Sequence, residues 1–206
     1  MKILLLGATG RVGSEIAAHA RSEGHSLTVL VRHPEKIENR DESITIVQGN
    51  VLNQLDISQV MLGNEVVICA LGTDGDTTLS DCMPLIVEAM NNHGIKRIIT
   101  IGTAGILNSK TNQGLLRYQS SESKRRTTRA AEEHHKAYLI LKQSDLEWTI
   151  VCPTYLPLGE AVGTYRVERD YLPDGGTEIS VYDTAAFAYH QLKSREYMRS
   201  RVGIAY

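Results

Sequence analysis

The opening stretch KILLLGATGRVGSEIAAHARSEG, residues 2–24, constrains this chain more than any other feature. An apolar run of strand length ends at Gly7, and Gly10 and Gly13 follow at intervals of three. Val12, Ile16, Ala17 and Ala20 then recur at helical spacing, and Gly24 supplies a stop. Glycines so placed permit a tight turn and a close backbone approach to a pyrophosphate. The helix behind them offers unpaired N–H groups and a positive dipole end. The pattern departs from the standard G-x-G-x-x-G, and a plain glycine turn is the competing reading. Its place between a strand and a helix points to dinucleotide binding.

The same alternation continues. HSLTVLVR, SITIVQG, EVVICALG, IKRIITIGTAG and LEWTIVCP read as five further strands. Helical spacing falls between them at residues 56–62, in LSDCMPLIVEAMNNHG, and from Thr127 to Ser144. Pro84 must lie in the first turn of its helix or kink it. Residues 106–126 are polar and aperiodic. VGTYRVE and TEISVY read as short strands, DTAAFAYHQLKS as a last helix, and RVGIAY as a closing strand. The expected fold is α/β: a doubly wound, Rossmann-like parallel sheet with right-handed crossovers. Residues 1–206 form one NAD(P)-binding domain with a small C-terminal substrate-side portion.

Bulk properties narrow the function by exclusion. A net charge of −2 gives no global attraction to nucleic acid or anionic membrane. Cys69, Cys82 and Cys152 are far apart in or beside apolar runs, which suits buried free thiols. No His/Cys/Asp/Glu set has metal-ligand spacing, so no metal is expected. The apolar part of MKILLLGATG is too short for a signal peptide or a span, and the expected location is the cytoplasm.

The end of the second strand bears on cofactor choice. An NAD site usually places Asp or Glu there for the ribose 2′-hydroxyl. Here VLVRHPEK brings Arg32 to that position with Lys36 nearby, and a guanidinium there favours the 2′-phosphate of NADPH. A solvated charged turn is the competing reading, and His33 reads as a surface residue. Asn50 is placed to meet an adenine. Ala70, Leu71, Gly72 and Thr73 keep a carboxyl edge of the sheet small beside a ribose and pyrophosphate.

GATGRVG, LTVLVRHPEK, GNVL, VVICALGT, AMNNHGIKRIITIGTAG, EEHHKAYLILKQSDLEWTIVCP and VGTYRV together resemble the compact atypical short-chain dehydrogenase/reductases, of the biliverdin-IXβ reductase or NADPH-dependent flavin reductase type. The opening motif is shared with NmrA-like redox sensors. The resemblance implies that Gly7, Thr9, Gly10, Arg11 and Val12 hold the pyrophosphate. It sets Arg32 and Lys36 at the 2′-phosphate, Asn50 and Val51 at the adenine, and Leu71 and Gly72 at the ribose. Pro153, Thr154 and Tyr155 face the nicotinamide, with Thr103 beside it. Thr103, His134 and Tyr155 are the implied catalytic set. Asn50 stands where the family has Asp, Tyr155 where it has His, and the segment from Thr103 to His134 is longer than usual.

Tyr138 and Lys142 show the Tyr-x-x-x-Lys spacing of acid–base catalysis. Lys142 lies two residues before the expected helix end at Ser144, where a cation favours the macrodipole and faces water. The resemblance puts the usual lysine's register at His135. The pair is therefore read as coincidental, with Tyr138 still a candidate for lining the pocket. His134 and His135 are adjacent on a helix and point apart. Lys124, Arg125, Arg126 and Arg129 close the aperiodic stretch and read as a lid for an anionic acceptor, or as a solvated face. The expected activity is hydride transfer from NADPH to a flavin, with a tetrapyrrole or quinone as related acceptors. Flavin is then a substrate rather than a resident group. A non-catalytic NADP(H) sensor is the alternative, and an epimerase is argued against by the missing dyad. The implied partner is a small molecule, and a monomer is favoured over a dimer.

Overall fold

The computed structural model describes residues 1–37, 40–73, 76–123 and 125–206. Its strands are β1 (Lys2–Leu6), β2 (Ser26–Val31), β3 (Ile44–Gln48), β4 (Val66–Cys69), β5 (Arg97–Ile101), β6 (Glu147–Pro153), β7 (Arg166–Arg169) and β8 (Ser200–Ala205). The helices are α1 (Arg11–Ser22), α2 (Gln54–Met61), α3 (Thr78–Asn92), α4 (Arg129–Gln143) and α5 (Val181–His190). The strands form one sheet in the order β3-β2-β1-β4-β5-β6-β8-β7. All pairs are parallel except β7 with β8. Among the described residues no helix is long and apolar enough to cross a membrane.

Continuous apolar strands imply helices on both faces, because side chains alternate across a strand. Leu4 and Leu6 of β1 join Val67, Ile98 and Ile150 in one core, which α2, α3 and α4 cover with Ile57, Ile86 and Leu141. Ile3 and Leu5 join Ile68, Ile99 and Val151 in the other, covered by Ile16 and Ala20 of α1 and Ala188 of α5. Burial of each such Leu or Ile contributes about 1.5–3 kcal/mol relative to exposure. The strand order reverses between β1 and β4, which opens a crevice at their carboxyl ends.

Two expectations change in detail. TEISVY is not a strand. Glu178 makes a single bridge to Tyr155, and the Ser180 hydroxyl accepts from the Asp183 N–H, so α5 begins at Val181. A Ser-x-x-Asp cap outweighs two-residue alternation there. The added edge strand, β7, runs antiparallel where an all-parallel sheet was expected. Pro84 sits past the first turn of α3, which leaves the Ser80 carbonyl without its usual donor four residues on. The aperiodic 106–126 stretch also holds an anchor, since Ile106 and Leu107 are fully buried.

Candidate functional site

The cleft lies at the β1/β4 switch point. It has a volume of about 300 Å³ and is lined by the Gly7–Gly10 turn, Arg32, Asn50, Val51, Leu71 and Gly72, among others. Gly7 has φ +86°, and a Cβ there would lie 2.5 Å from the Ala70 carbonyl oxygen. A Cβ on Gly13 would fall 2.0 Å from the Gly7 carbonyl oxygen. These two positions thus hold the turn against β4 and against its own helix. Gly10 precedes α1 with no side-chain cap, and no acidic residue occupies the first turn. The positive end of the helix is left for an external anion.

The Gly49–Asn50 loop on the opposite wall is held from behind by Asp56, which sequence reading missed. Its carboxylate accepts from the Asn50 N–H at 2.8 Å. Gly49 makes room for it, since a Cβ there would lie 2.7 Å from the same oxygen. The signal was an acid in the first turn of α2, behind the Asn53 cap. Asn50 Oδ1 accepts from the Leu52 N–H at 3.0 Å, so its amide nitrogen is the group it can turn to an adenine. Among the described lining residues there is a cation, Arg32, and no carboxylate. An uncapped helix end, a glycine turn and one cation fit a dinucleotide phosphate chain.

Other expected residues lie around this cleft rather than in it. Lys36 lines a neighbouring depression, which Thr9 shares. Val12 is buried in the first turn of α1, and the Arg11 guanidinium donates to the Leu156 carbonyl at 2.9 Å. Thr103, just past β5, is half-buried and accepts from the Gly105 N–H. Pro153 ends the adjacent strand β6, with Thr154 donating to the Thr177 carbonyl and Tyr155 exposed. These four residues share the carboxyl edge of β5 and β6. His134 is half-buried one turn beyond Ala131, and a Cβ on Gly105 would meet the Ala131 Cβ at 2.9 Å. Burial pushes the His134 imidazole down to about 4, against the pull of the Glu133 carboxylate. At neutral pH it is an uncharged hydrogen-bonding group.

Tyr138 belongs to the core and not to the cleft. Its ring meets Trp148 edge-on with centroids 5.8 Å apart, and the Arg201 guanidinium lies 4.5 Å from its centroid. Lys142 is exposed as the penultimate residue of α4. Arg201 is buried and ties β8 to the Ile106 carbonyl, Asn108 and Asp170, bracing the loop that carries Thr103. His135 sits 3.0 Å from the Tyr118 hydroxyl. Lys124 lies outside the described residues. Arg125 and Arg126 are exposed, and Arg129 opens α4 with its guanidinium 3.9 Å from Asp76. The three cysteines are buried and free, and burial raises the Cys152 thiol to about 12.

Residues 7–195 match the model of a family described as NAD(P)H-binding. The uncharacterized protein YwnB of Bacillus subtilis is 24% identical over 98% of this chain and 96% of its own length. A Bacteroides thetaiotaomicron protein provisionally named an epimerase superposes with a TM-score of 0.87 at 28% identity, covering 100% of this chain and 96% of that one. A Streptococcus pneumoniae protein provisionally named an NADH-flavin reductase superposes at 0.83 with 21% identity, covering 100% of this chain and 99% of that one.

Proposed function

Because this chain belongs to the NAD(P)H-binding family, we propose that it is an NADPH-dependent reductase passing hydride to a flavin or a related planar acceptor. The observation that carries the reading is the make-up of the cleft: Arg32 shares it with the glycine turn, and no carboxylate lines it among the described residues. The uncapped end of α1 would hold the pyrophosphate, Arg32 the 2′-phosphate, and Asn50 and Val51 the adenine. When bound, the nucleotide supplies the hydride.

The chain's own part is orientation. Thr103, Pro153 and Thr154 would seat the nicotinamide at the β5/β6 edge, with Tyr155 and His134 flanking the acceptor. Flavin reduction asks for alignment and exclusion of side reactions more than for a strong acid, since solvent can deliver the proton. That suits a chain whose Tyr138 is packed in the core beneath Arg201 and whose His134 imidazole is uncharged. The Streptococcus pneumoniae neighbour's name agrees with this acceptor class, but at 21% identity it speaks for the fold alone. The same lack of an acid–base pair would suit a nucleotide sensor, which is the second reading.

NADPH oxidation assayed with FMN, FAD, riboflavin, biliverdin and quinones tests the proposal, with nucleotide affinity measured in parallel. Turnover with a flavin is expected. Tight NADPH binding with no turnover on any acceptor would point to the sensor.

A further inference from the structure

The segment from Thr154 to Tyr165 runs between β6 and β7 without regular structure, and it is strapped along one side by residues 177–183. Ile179 N–H donates to the Tyr155 carbonyl at 3.0 Å and Val181 N–H to the Pro157 carbonyl at 3.1 Å. The buried Asp183 carboxylate takes the N–H groups of Val162 and Gly163 at 2.9 and 3.0 Å. On the cleft side the segment meets α1, where Arg11 donates to the Leu156 carbonyl at 2.9 Å. Between these ties Tyr155, Leu158 and Val162 are 57%, 58% and 59% exposed, an apolar stretch at the edge where an acceptor would stack.

Arg11 is the first residue of α1, directly after the glycine turn. A guanidinium carries five N–H donors in a planar fork, so it can serve a carbonyl along one edge and an anion along another. We propose that Arg11 is a positioning residue that couples the two halves of the site: a phosphate chain at the end of α1 fixes the guanidinium, and the guanidinium then fixes the 154–163 segment through Leu156. The proposal rests on the NADPH reading above. Coupling of this kind is reciprocal, so the segment held in place also favours the nucleotide. A lysine at this position keeps the positive charge but, as a single point donor, cannot hold both partners.

Hydrogen exchange of residues 154–163, read by mass spectrometry with and without saturating NADPH, tests this in wild type and in Arg11→Lys. NADPH affinity is titrated for both. In the wild type NADPH should slow exchange of the segment about tenfold, within the range of typical allosteric coupling. Arg11→Lys should lose that slowing even at saturating NADPH and, because the coupling is reciprocal, bind NADPH about tenfold more weakly, since the fork is lost. Exchange of residues 86–92 in α3, which shares none of the hydrogen bonds that tie the segment, should be unchanged by the substitution. Equal NADPH-induced protection in both proteins would overturn the coupling and leave the cofactor reading intact. Failure of the wild type to bind NADPH would overturn both.

Discussion

The two halves of the site are built by different means. The nucleotide half, from β1 through β4, is made largely of backbone: a glycine turn packed against β4, an uncapped helix and the ends of parallel strands, with Arg32 and Asp56 as its main side-chain additions. The proposed acceptor half, from Thr103 onward, is held by side chains reaching across the chain. Arg201 braces Ile106 and Asn108, Asp183 pins Val162 and Gly163, and Arg11 meets Leu156. A backbone-built half tolerates little at a few positions and is indifferent elsewhere. A side-chain-built half should yield by smaller steps at many positions, which leaves room for the acceptor to vary on a fixed cofactor frame.

The sharpest way to break this contrast is Gly13→Ala. Its Cβ would lie 2.0 Å from the Gly7 carbonyl oxygen, and the next nearest atoms are also backbone of Gly7 and Ala8, which cannot swing away. A loss of about 4 kcal/mol or more in urea unfolding is expected, together with loss of NADPH binding. Gly63 is the control. Its φ is +79° with nothing within 4 Å of where a Cβ would stand, so Gly63→Ala should cost only about 1 kcal/mol. Equal costs would mean that contact with the turn is not what fixes the nucleotide half.

On the other side, Asp183→Asn should cost about 1.5–3 kcal/mol, the scale for hydrogen bonds to a charged group. The carboxylate takes N–H groups from Val162 and Gly163 and the hydroxyls of Ser180 and Tyr206. Burial raises its pKa, but these donors together outweigh it and hold it below the usual carboxylate range. A change below about half a kcal/mol, the level of an indifferent surface site, would show that the strap is not what orders the acceptor half.

The contrast also explains what the sequence made legible. Strands, helices and the glycine turn obey local periodicity, and Gly7, Thr9, Gly10, Arg32, Asn50, Val51, Leu71 and Gly72 converge on one cleft because parallel strands deliver their ends together. Arg201 with Ile106, and Arg11 with Leu156, join residues 95 and 145 apart in sequence, and no local pattern announces them. The TEISVY misreading has a local cause, because alternation and a helix cap coincide there and the cap prevails. Tyr138 and Lys142 show the opposite hazard, where correct spacing falls on a helix face turned to the core and its exposed end.

A third prediction uses pH. His134 has a folded pKa near 4 against an ordinary value of 6.5. As pH falls from 6.5 toward 4 the unfolded chain takes up the proton and the native state does not, so stability is lost across that window. Linkage puts the loss at about 2 kcal/mol by pH 5, as an upper figure. Urea unfolding at pH 7 and pH 5 should show a smaller loss for His134→Gln than for the wild type. Identical pH dependence in the two would mean that the imidazole is well hydrated in the native state.

The smallest effect is expected at Lys142. It is exposed at the end of α4, so Lys142→Ala should change stability by less than about 0.5 kcal/mol and leave turnover nearly unchanged. A fall in kcat of about a hundredfold, the scale of a lost acid–base group, would restore the dyad as the catalytic machinery.

The central claim is that the cleft is made for NADPH, and calorimetric titration of the wild type with NADPH and NADH tests it most directly. Arg32 at the end of β2 should make NADPH bind at least about tenfold more tightly, since charge-assisted bonds to a phosphate contribute about 1.5–3 kcal/mol. Arg32→Asp should erase or invert that preference. Equal affinity of the wild type for the two nucleotides would contradict the account.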